Sequence, residues 1–183
     1  MLADLARVQD LAAEGDAEHL IEFLSGSSLL IRHAAHVELM AMSGGAGILT
    51  RFDAFADPAS QKSAVQAWRE MVKKGQVNGP GRVRVYQQGK LVKTPPVKKS
   101  AQELARYAIN ILSMLLSESG RVEAIEAIIP FLDMDAAVAQ HTLMCLKAIL
   151  GVRDIKTAAE FRSYWQRNKP KGNKLENWKK NAY

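Results

Sequence analysis

Ile128-Ile129-Pro130-Phe131-Leu132-Asp133-Met134-Asp135-Ala136-Ala137-Val138 is the stretch that decides how this chain is read. An apolar run ends in a proline-bearing, acidic turn. Beyond it Val138, Thr142, Leu146 and Ile149 recur at the three-to-four spacing of a helix face. The same order stands near the amino terminus. Leu20-Ile21-Glu22-Phe23-Leu24 matches Ile128 to Leu132, and Ile31, Ala35, Leu39 and Met42 match the residues of the later helix. The offset changes by one residue between these segments, so the two tight turns differ in length. A third segment recurs as well, Trp68-Arg69-Glu70-Met71-Val72 against Phe161-Arg162-Ser163-Tyr164-Trp165. Short helix, tight turn, longer helix, linker and aromatic helix thus occur twice, and the repeated order is stronger evidence of internal repetition than any single motif. Leu24, Leu39, Leu132 and Leu146 are the residues expected at the hairpin interfaces.

Working outward, Leu2, Leu5, Ala6, Val8 and Leu11 form a helical stripe that stops near Gly15, and Asp16 caps the short helix after it. Ser25 to Ser28 form a turn, and Gly44, Gly45 and Gly47 end the longer helix. Asp57-Pro58 reads as an N-cap with proline in the first helical position, opening a helix with Val65, Trp68, Met71 and Val72. Ser100-Ala101-Gln102-Glu103 and Thr157-Ala158-Ala159-Glu160 are capping boxes, in which the hydroxyl and the glutamate satisfy free N–H groups. The first opens a helix through 101–116 that is apolar on more than one side and is expected to join the two halves.

Residues 76–97 break the helical period. Arg82 to Tyr86 and Leu91 to Thr94 flank a glycine-containing connection, which predicts a β-hairpin. The expected organisation is a first helical half over 1–75, a basic loop or hairpin insertion over 76–97, a second half over 98–168, and a basic, flexible tail over 169–183. The fold class is all-α.

Composition agrees. Hydrophobic residues make up 48 % of the 183, enough for a core, and aromatics only 7 %, so aliphatic residues with good helix propensity carry it. One cysteine, Cys145, rules out an internal disulfide and a zinc site made mainly of cysteine. No segment approaches the roughly 18–20 apolar residues that span a bilayer. The start lacks a secretory pattern, so the cytoplasm is the expected compartment. The net charge of +6 is unevenly spread: residues 1–61 hold 3 Lys/Arg against 9 Asp/Glu, and residues 62–106 hold 11 against 2. Residues 107–152 hold 2 against 5, and 153–183 hold 9 against 3. Alternating blocks either neutralise one another or present separate surfaces to partners.

The residues at 129–138, with proline, acidic turn and following valine, resemble a HEAT repeat of the degenerate bacterial kind, although Ala139 stands where that pattern has arginine. Ile31-Arg32 keeps the arginine in the first copy, behind a serine-rich rather than acidic turn. The resemblance covers about a third of the chain. It implies a short HEAT-like (armadillo-type) α-solenoid of helical hairpins, with the flanking helices capping the stack. It also implies surfaces for holding another macromolecule.

Catalytic chemistry finds little support. His33 and His36 lie three apart on one helix, but a metal site needs a third or fourth ligand, so both read as polar positions on a half-exposed helix. His19 and His141 read as structural. Cys145 stands between Met144 and Leu146 with no base in view, as a buried structural thiol. The glycines at 44, 45 and 47 follow a helix rather than a strand, and Gly89-Lys90 lacks the spacing of a phosphate loop. Carboxylates at Glu14, Asp16, Glu18 and Glu22, and at Glu118, Glu123 and Glu126, fit solvated helix faces. No catalytic, cofactor or metal set emerges.

Basic residues carry the functional expectation. Arg82, Arg84, Tyr86, Lys90, Lys93, Lys98 and Lys99 crowd the hairpin and its exit; Lys171, Lys174, Trp178, Lys179 and Lys180 line the tail. Aromatics beside cations are favoured contact residues. The expected function is a non-catalytic protein–protein interaction or scaffold module. Its partner is another protein, a subunit of a larger assembly or a second copy of the chain, without membrane insertion. The alternative is nucleic-acid binding, with the basic hairpin and tail on phosphates.

Overall fold

A computed structural model describes residues 1–79 and 99–175, together with the backbone of 85–87 and 90–92. The chain divides into two compact units, Met1–Lys99 and Ser100–Tyr183. What is described packs as helices, eight of them α-helices, and none is long and apolar enough to cross a membrane.

The first unit begins with α1 (Leu2–Glu14), which buries Leu5, Val8, Leu11 and Ala12. It ends at Gly15, whose left-handed φ of 76° lets the chain turn sharply, at low steric cost only for glycine. Asp16 then caps α2 (Ala17–Glu22) by accepting from the His19 amide at 3.1 Å, and its other oxygen meets the His19 ring at 2.7 Å. Partial burial raises the Asp16 pKa, but the His19 bonds and nearby Arg7 outweigh it and hold the carboxyl below its usual range. A 3₁₀ turn, Phe23–Ser25, leads to α3 (Leu29–Met42).

α3 is buried nearly all round, because it packs on α1 and α2 while the segment after it folds back over the remaining side. That segment holds two further 3₁₀ turns, Ala46–Thr50 and Pro58–Gln61. Asp57 does cap at Pro58, accepting from the Ala59 amide at 2.7 Å, but the turn it opens is 3₁₀. The α-helix proper, α4 (Lys62–Lys73), starts four residues later and buries Trp68 against the unit.

Residues 76–79 stay attached to this unit rather than beginning an insertion at 76. Val77 is buried, and the Gly79 amide donates to the Met42 carbonyl at 2.8 Å. A side chain at Gly79 would place its Cβ 2.7 Å from that oxygen, so the approach requires glycine. Beyond it β1 (Val85–Gln87) and β2 (Lys90–Val92) pair antiparallel, with Tyr86 opposite Leu91. The remainder of the expected 76–97 insertion lies outside the described residues.

The second unit repeats the order. Ser100 and Glu103 form the expected capping box at the start of α5 (Ala101–Ser119), which ends at left-handed Gly120. α5 buries Leu104, Ala108, Ile111, Leu112 and Leu115 against α6 (Val122–Ile128) and α7 (Ala136–Leu150), so its apolar faces are used within this unit. Between α6 and α7 runs a 3₁₀ turn, Ile129–Asp133, in the place of Phe23–Ser25. α8 (Ala158–Asn168) opens on the Thr157/Glu160 capping box and buries Phe161 and Trp165. Leu24, Leu39, Leu132 and Leu146 are all buried, as their repeated spacing implies. Each such side chain contributes on the order of 1.5–3 kcal/mol of burial.

Of the tail expected to be flexible over 169–183, residues 169–175 are described, and these stay attached to the second unit. The Lys169 ammonium pairs with Glu126, and Lys174 forms an antiparallel bridge with Arg121. The Val122 amide donates to the Asn173 carbonyl at 3.0 Å, and the Leu175 amide to the Gly120 carbonyl at 2.8 Å. The reason is the start of α6: its first N–H groups have no partner inside the helix, and Arg121 supplies no side-chain cap, so the returning chain supplies the acceptor.

Candidate functional site

Arg82, Arg84, Lys93, Lys98, Trp178, Lys179 and Lys180 lie outside the described residues, and Tyr86 and Lys90 are described as backbone in β1 and β2. Of the others, Lys99 is half-buried and its ammonium donates to the side-chain oxygen of Gln9, itself buried on α1. Lys171 and Lys174 are exposed on the returning segment, the second with its backbone in the bridge to Arg121. Lys99 therefore works within its own unit, and Lys171 and Lys174 lie on one returning segment.

Three features were not singled out from the sequence. The first is the segment 43–61 of unit one, which is a built structure. Gly45 adopts φ 89°, the Gly47 amide donates to Ser43 Oγ at 3.1 Å, and Thr50 Oγ1 donates to the Gly47 carbonyl at 2.8 Å. Arg51 sits at φ 55°, a left-handed conformation that costs a non-glycine residue on the order of 1 kcal/mol. Buried Gln61 closes the segment through the Asp53 carbonyl. This frame presents Ile48 and Leu49 to solvent, 72 % and 80 % exposed. The glycine content that reads as a helix stop is the signal that could have located it.

The second is the polar interior beneath that segment. Arg32 donates to the Ala54 carbonyl from Nε at 3.0 Å and from a terminal nitrogen at 2.6 Å, and to the Gly26 and Ser27 carbonyls at 2.7 and 2.8 Å. Burial pulls its pKa down, against the opposing charges of Asp53 and Asp57. The His36 ring packs on Phe52 with centroids 4.8 Å apart and planes tilted by 39°, and meets Trp68 edge-on at 5.9 Å. Burial lowers its pKa to about 4. His33 is buried, unlike the half-exposed position expected for it, whereas His36 is half-buried with Phe52 of the 43–61 segment against its ring. A Cβ at Gly47 would fall 2.0 Å from the Trp68 ring, which makes Gly47 the contact that lets the segment close.

The third lies on unit two. Cys145 is only part-buried, and His141, one turn earlier on α7, brings Nε2 to 3.9 Å from its sulfur. The same nitrogen lies 3.1 Å from Asn110 Oδ1 on α5. The expectation of a buried thiol without a base nearby is corrected, and the signal was in the sequence as a His–Cys pair four residues apart. Burial pushes the thiol pKa up, offset in part by Ser113, so the sulfur is not an activated nucleophile. Near the end of α7, Lys147, Ala148, Gly151, Val152 and Arg153 line an open cup of about 380 Å³.

Comparisons with protein-family models, with curated proteins and with solved structures find no match.

Proposed function

We propose that this chain is a non-catalytic, HEAT-like protein-interaction module that serves as a scaffold or assembly element, with Ile48 and Leu49 as its contact residues. The observation that carries the reading is the exposure of these two aliphatic side chains on a hydrogen-bonded turn. Large apolar residues held in water by hydrogen-bonded backbone mark protein contacts more often than phosphate contacts. The HEAT-like part is supported by the order within each unit, a short helix turning through a 3₁₀ segment into a longer helix. It is supported also by Arg32, which holds the turn carbonyls in the copy that keeps the arginine.

The test is crosslinking affinity capture from nuclease-treated lysate, comparing the parent with an Ile48→Asp/Leu49→Asp variant. The expected result is crosslinks mapping to 46–51 and loss of the captured protein in the variant, with an unchanged helical signal. Equal capture by both would overturn the assignment of the surface. Nucleic-acid binding is supported by a different observation, the cup between Lys147 and Arg153, neither of which is in an ion pair among the described residues. That reading requires affinity for duplex DNA or RNA that falls steeply with salt, and no binding at low salt ends it.

A further inference from the structure

We propose that Asn78–Gly79 is a modification site at which the chain releases its 76–79 segment one way, by loss of ammonia from the Asn78 side chain and formation of an isoaspartyl link. The sequence supplies the chemistry. Of the chain's asparagines only Asn78 precedes glycine; the others precede Ile111, Lys169, Lys174, Trp178 and Ala182. A side chain on the following residue crowds the attack of that residue's backbone nitrogen on the asparagine amide, and glycine has none. Asn78 is exposed, so water reaches it.

The fold holds the attacking nitrogen back. α3 ends at Met42, whose carbonyl lies beyond the reach of the helix's own N–H groups. The Gly79 amide donates to that carbonyl at 2.8 Å, and an added Cβ would stand 2.7 Å from the same oxygen. Buried Val77 anchors the segment on the other side of Asn78. The backbone is thus held at both neighbours of Asn78, with the Gly79 N–H committed to Met42, and the nitrogen is kept off the Asn78 side chain. Conversion runs through molecules in which the segment has opened, at the intrinsic rate scaled by the open fraction.

In the open segment the Gly79 nitrogen bonds to Asn78 Cγ, the bond from Cγ to the side-chain nitrogen breaks, and that nitrogen leaves as ammonia with the former amide proton. The product is a cyclic imide. Water opens it at either carbonyl, its oxygen staying on that carbon and a proton returning to the Gly79 nitrogen. The sum is amide plus water to carboxylic acid plus ammonia, with no change of oxidation state. Opening at the main-chain carbonyl leaves isoaspartate, whose chain runs through the former side chain. That adds a carbon–carbon bond of about 1.5 Å to the path from Val77 to Gly79. An N–H···O bond tolerates only a few tenths of an ångström, and Gly79 already lies against Met42. The change also leaves a carboxylate near the C-terminal end of α3, where the helix dipole disfavours negative charge. The lengthened segment does not reseat, so a transient opening becomes permanent.

The experiment incubates the full chain in mildly alkaline buffer, folded and in denaturant, and follows the peptide containing Asn78 by mass spectrometry with enzymatic labelling of isoaspartyl groups. In denaturant Asn78 should convert ahead of every other asparagine. In the folded chain it should convert roughly 10–100-fold more slowly, a factor set by one hydrogen bond and one buried valine. Val77→Ala loosens the anchor alone and should speed conversion of the folded chain several-fold, at an unchanged rate in denaturant. Asn78→Gln should abolish it. In the converted protein the Gly79 amide should exchange with solvent faster than in the unconverted one, with the helical signal unchanged. Equal rates with and without denaturant would show that the Met42 contact is no gate, and a converted chain with Gly79 still protected would show that the segment reseats. Either result overturns the proposal. So would Val77→Ala converting no faster than the parent, or Asn78 converting no faster than the other asparagines in denaturant.

Discussion

The two units run through the same order of helices but hold the turn before their long helix by opposite chemistry. In unit two the turn is acidic. Asp135 caps α7 by accepting from the Ala137 and Val138 amides at 3.1 Å each, and Asp133 takes Arg162 of α8 at 2.5 Å. In unit one the turn is serine-rich, and Ser28 makes no side-chain cap. There the donor comes from inside the helix: Arg32 reaches back to the turn carbonyls and forward to Ala54. At the matching position unit two has Ala139. A carboxylate outside the helix pairs the N–H groups at its start, and a guanidinium within it pairs the carbonyls of the turn before it, so the two copies satisfy opposite backbone groups. Only the guanidinium also clamps a long segment over the helix. The connection from α3 to α4 is long and folded, whereas α7 reaches α8 through a short link after Gly151.

The comparison breaks first at the aromatic helices. Trp68→Ala and Phe161→Ala each empty a fully buried site and should cost about 3–5 kcal/mol in chemical denaturation. Hydrogen exchange should place the loss mainly in the unit that carries the change. A Trp68 variant that loosens α6 and α7 as much as α3 would show the units to be energetically one.

Next comes acid. Folded His36 stays neutral until about pH 4, whereas an imidazole in the unfolded chain takes its proton near 6.5. Between those values the unfolded state binds more protons. Stability is therefore full above about pH 6.5 and falls as the pH drops towards 4, by roughly 3 kcal/mol in total, with no further loss from this group below. His36→Phe should flatten that part of the pH profile, read as denaturation midpoints between pH 4 and 7.

Arg32→Met tests the clamp. It strips partners from the carbonyls of Gly26, Ser27 and Ala54 and should cost about 2 kcal/mol, with faster proteolysis within 43–61. Deleting 169–183 removes the backbone pairing at Gly120 and Val122 and should cost about 1–2 kcal/mol, where a detached tail would cost nothing. Smallest is Asp135→Ala, worth about 1 kcal/mol as a lost cap. If Asp135→Ala proved costlier than Arg32→Met, the guanidinium clamp would not be the stronger of the two turn contacts.

The sequence by itself determined the helices, their order and much of their core. Those are local properties: Ser100 with Glu103 and Thr157 with Glu160 bond within one turn, Gly15 and Gly120 supply the left-handed exit, and buried leucines recur with the helix period. The repetition of the two halves was legible for the same reason. What only the tertiary structure decided is how polar groups far apart in the chain meet. Arg32 and Ala54, the Gly47 backbone against Trp68, and Asn173 at the start of α6 are separated by many residues and obey no period. His36 read as a polar position on a half-exposed helix, and its contacts with Phe52 and Trp68 were not legible, because a helix face says nothing about a later segment folding over it. The Cys145–His141 pair had a visible spacing, but its third member, Asn110, belongs to another helix and needed packing to bring it there. Periodicity records which side of an element is apolar; the partner of a buried polar group is fixed by packing between elements.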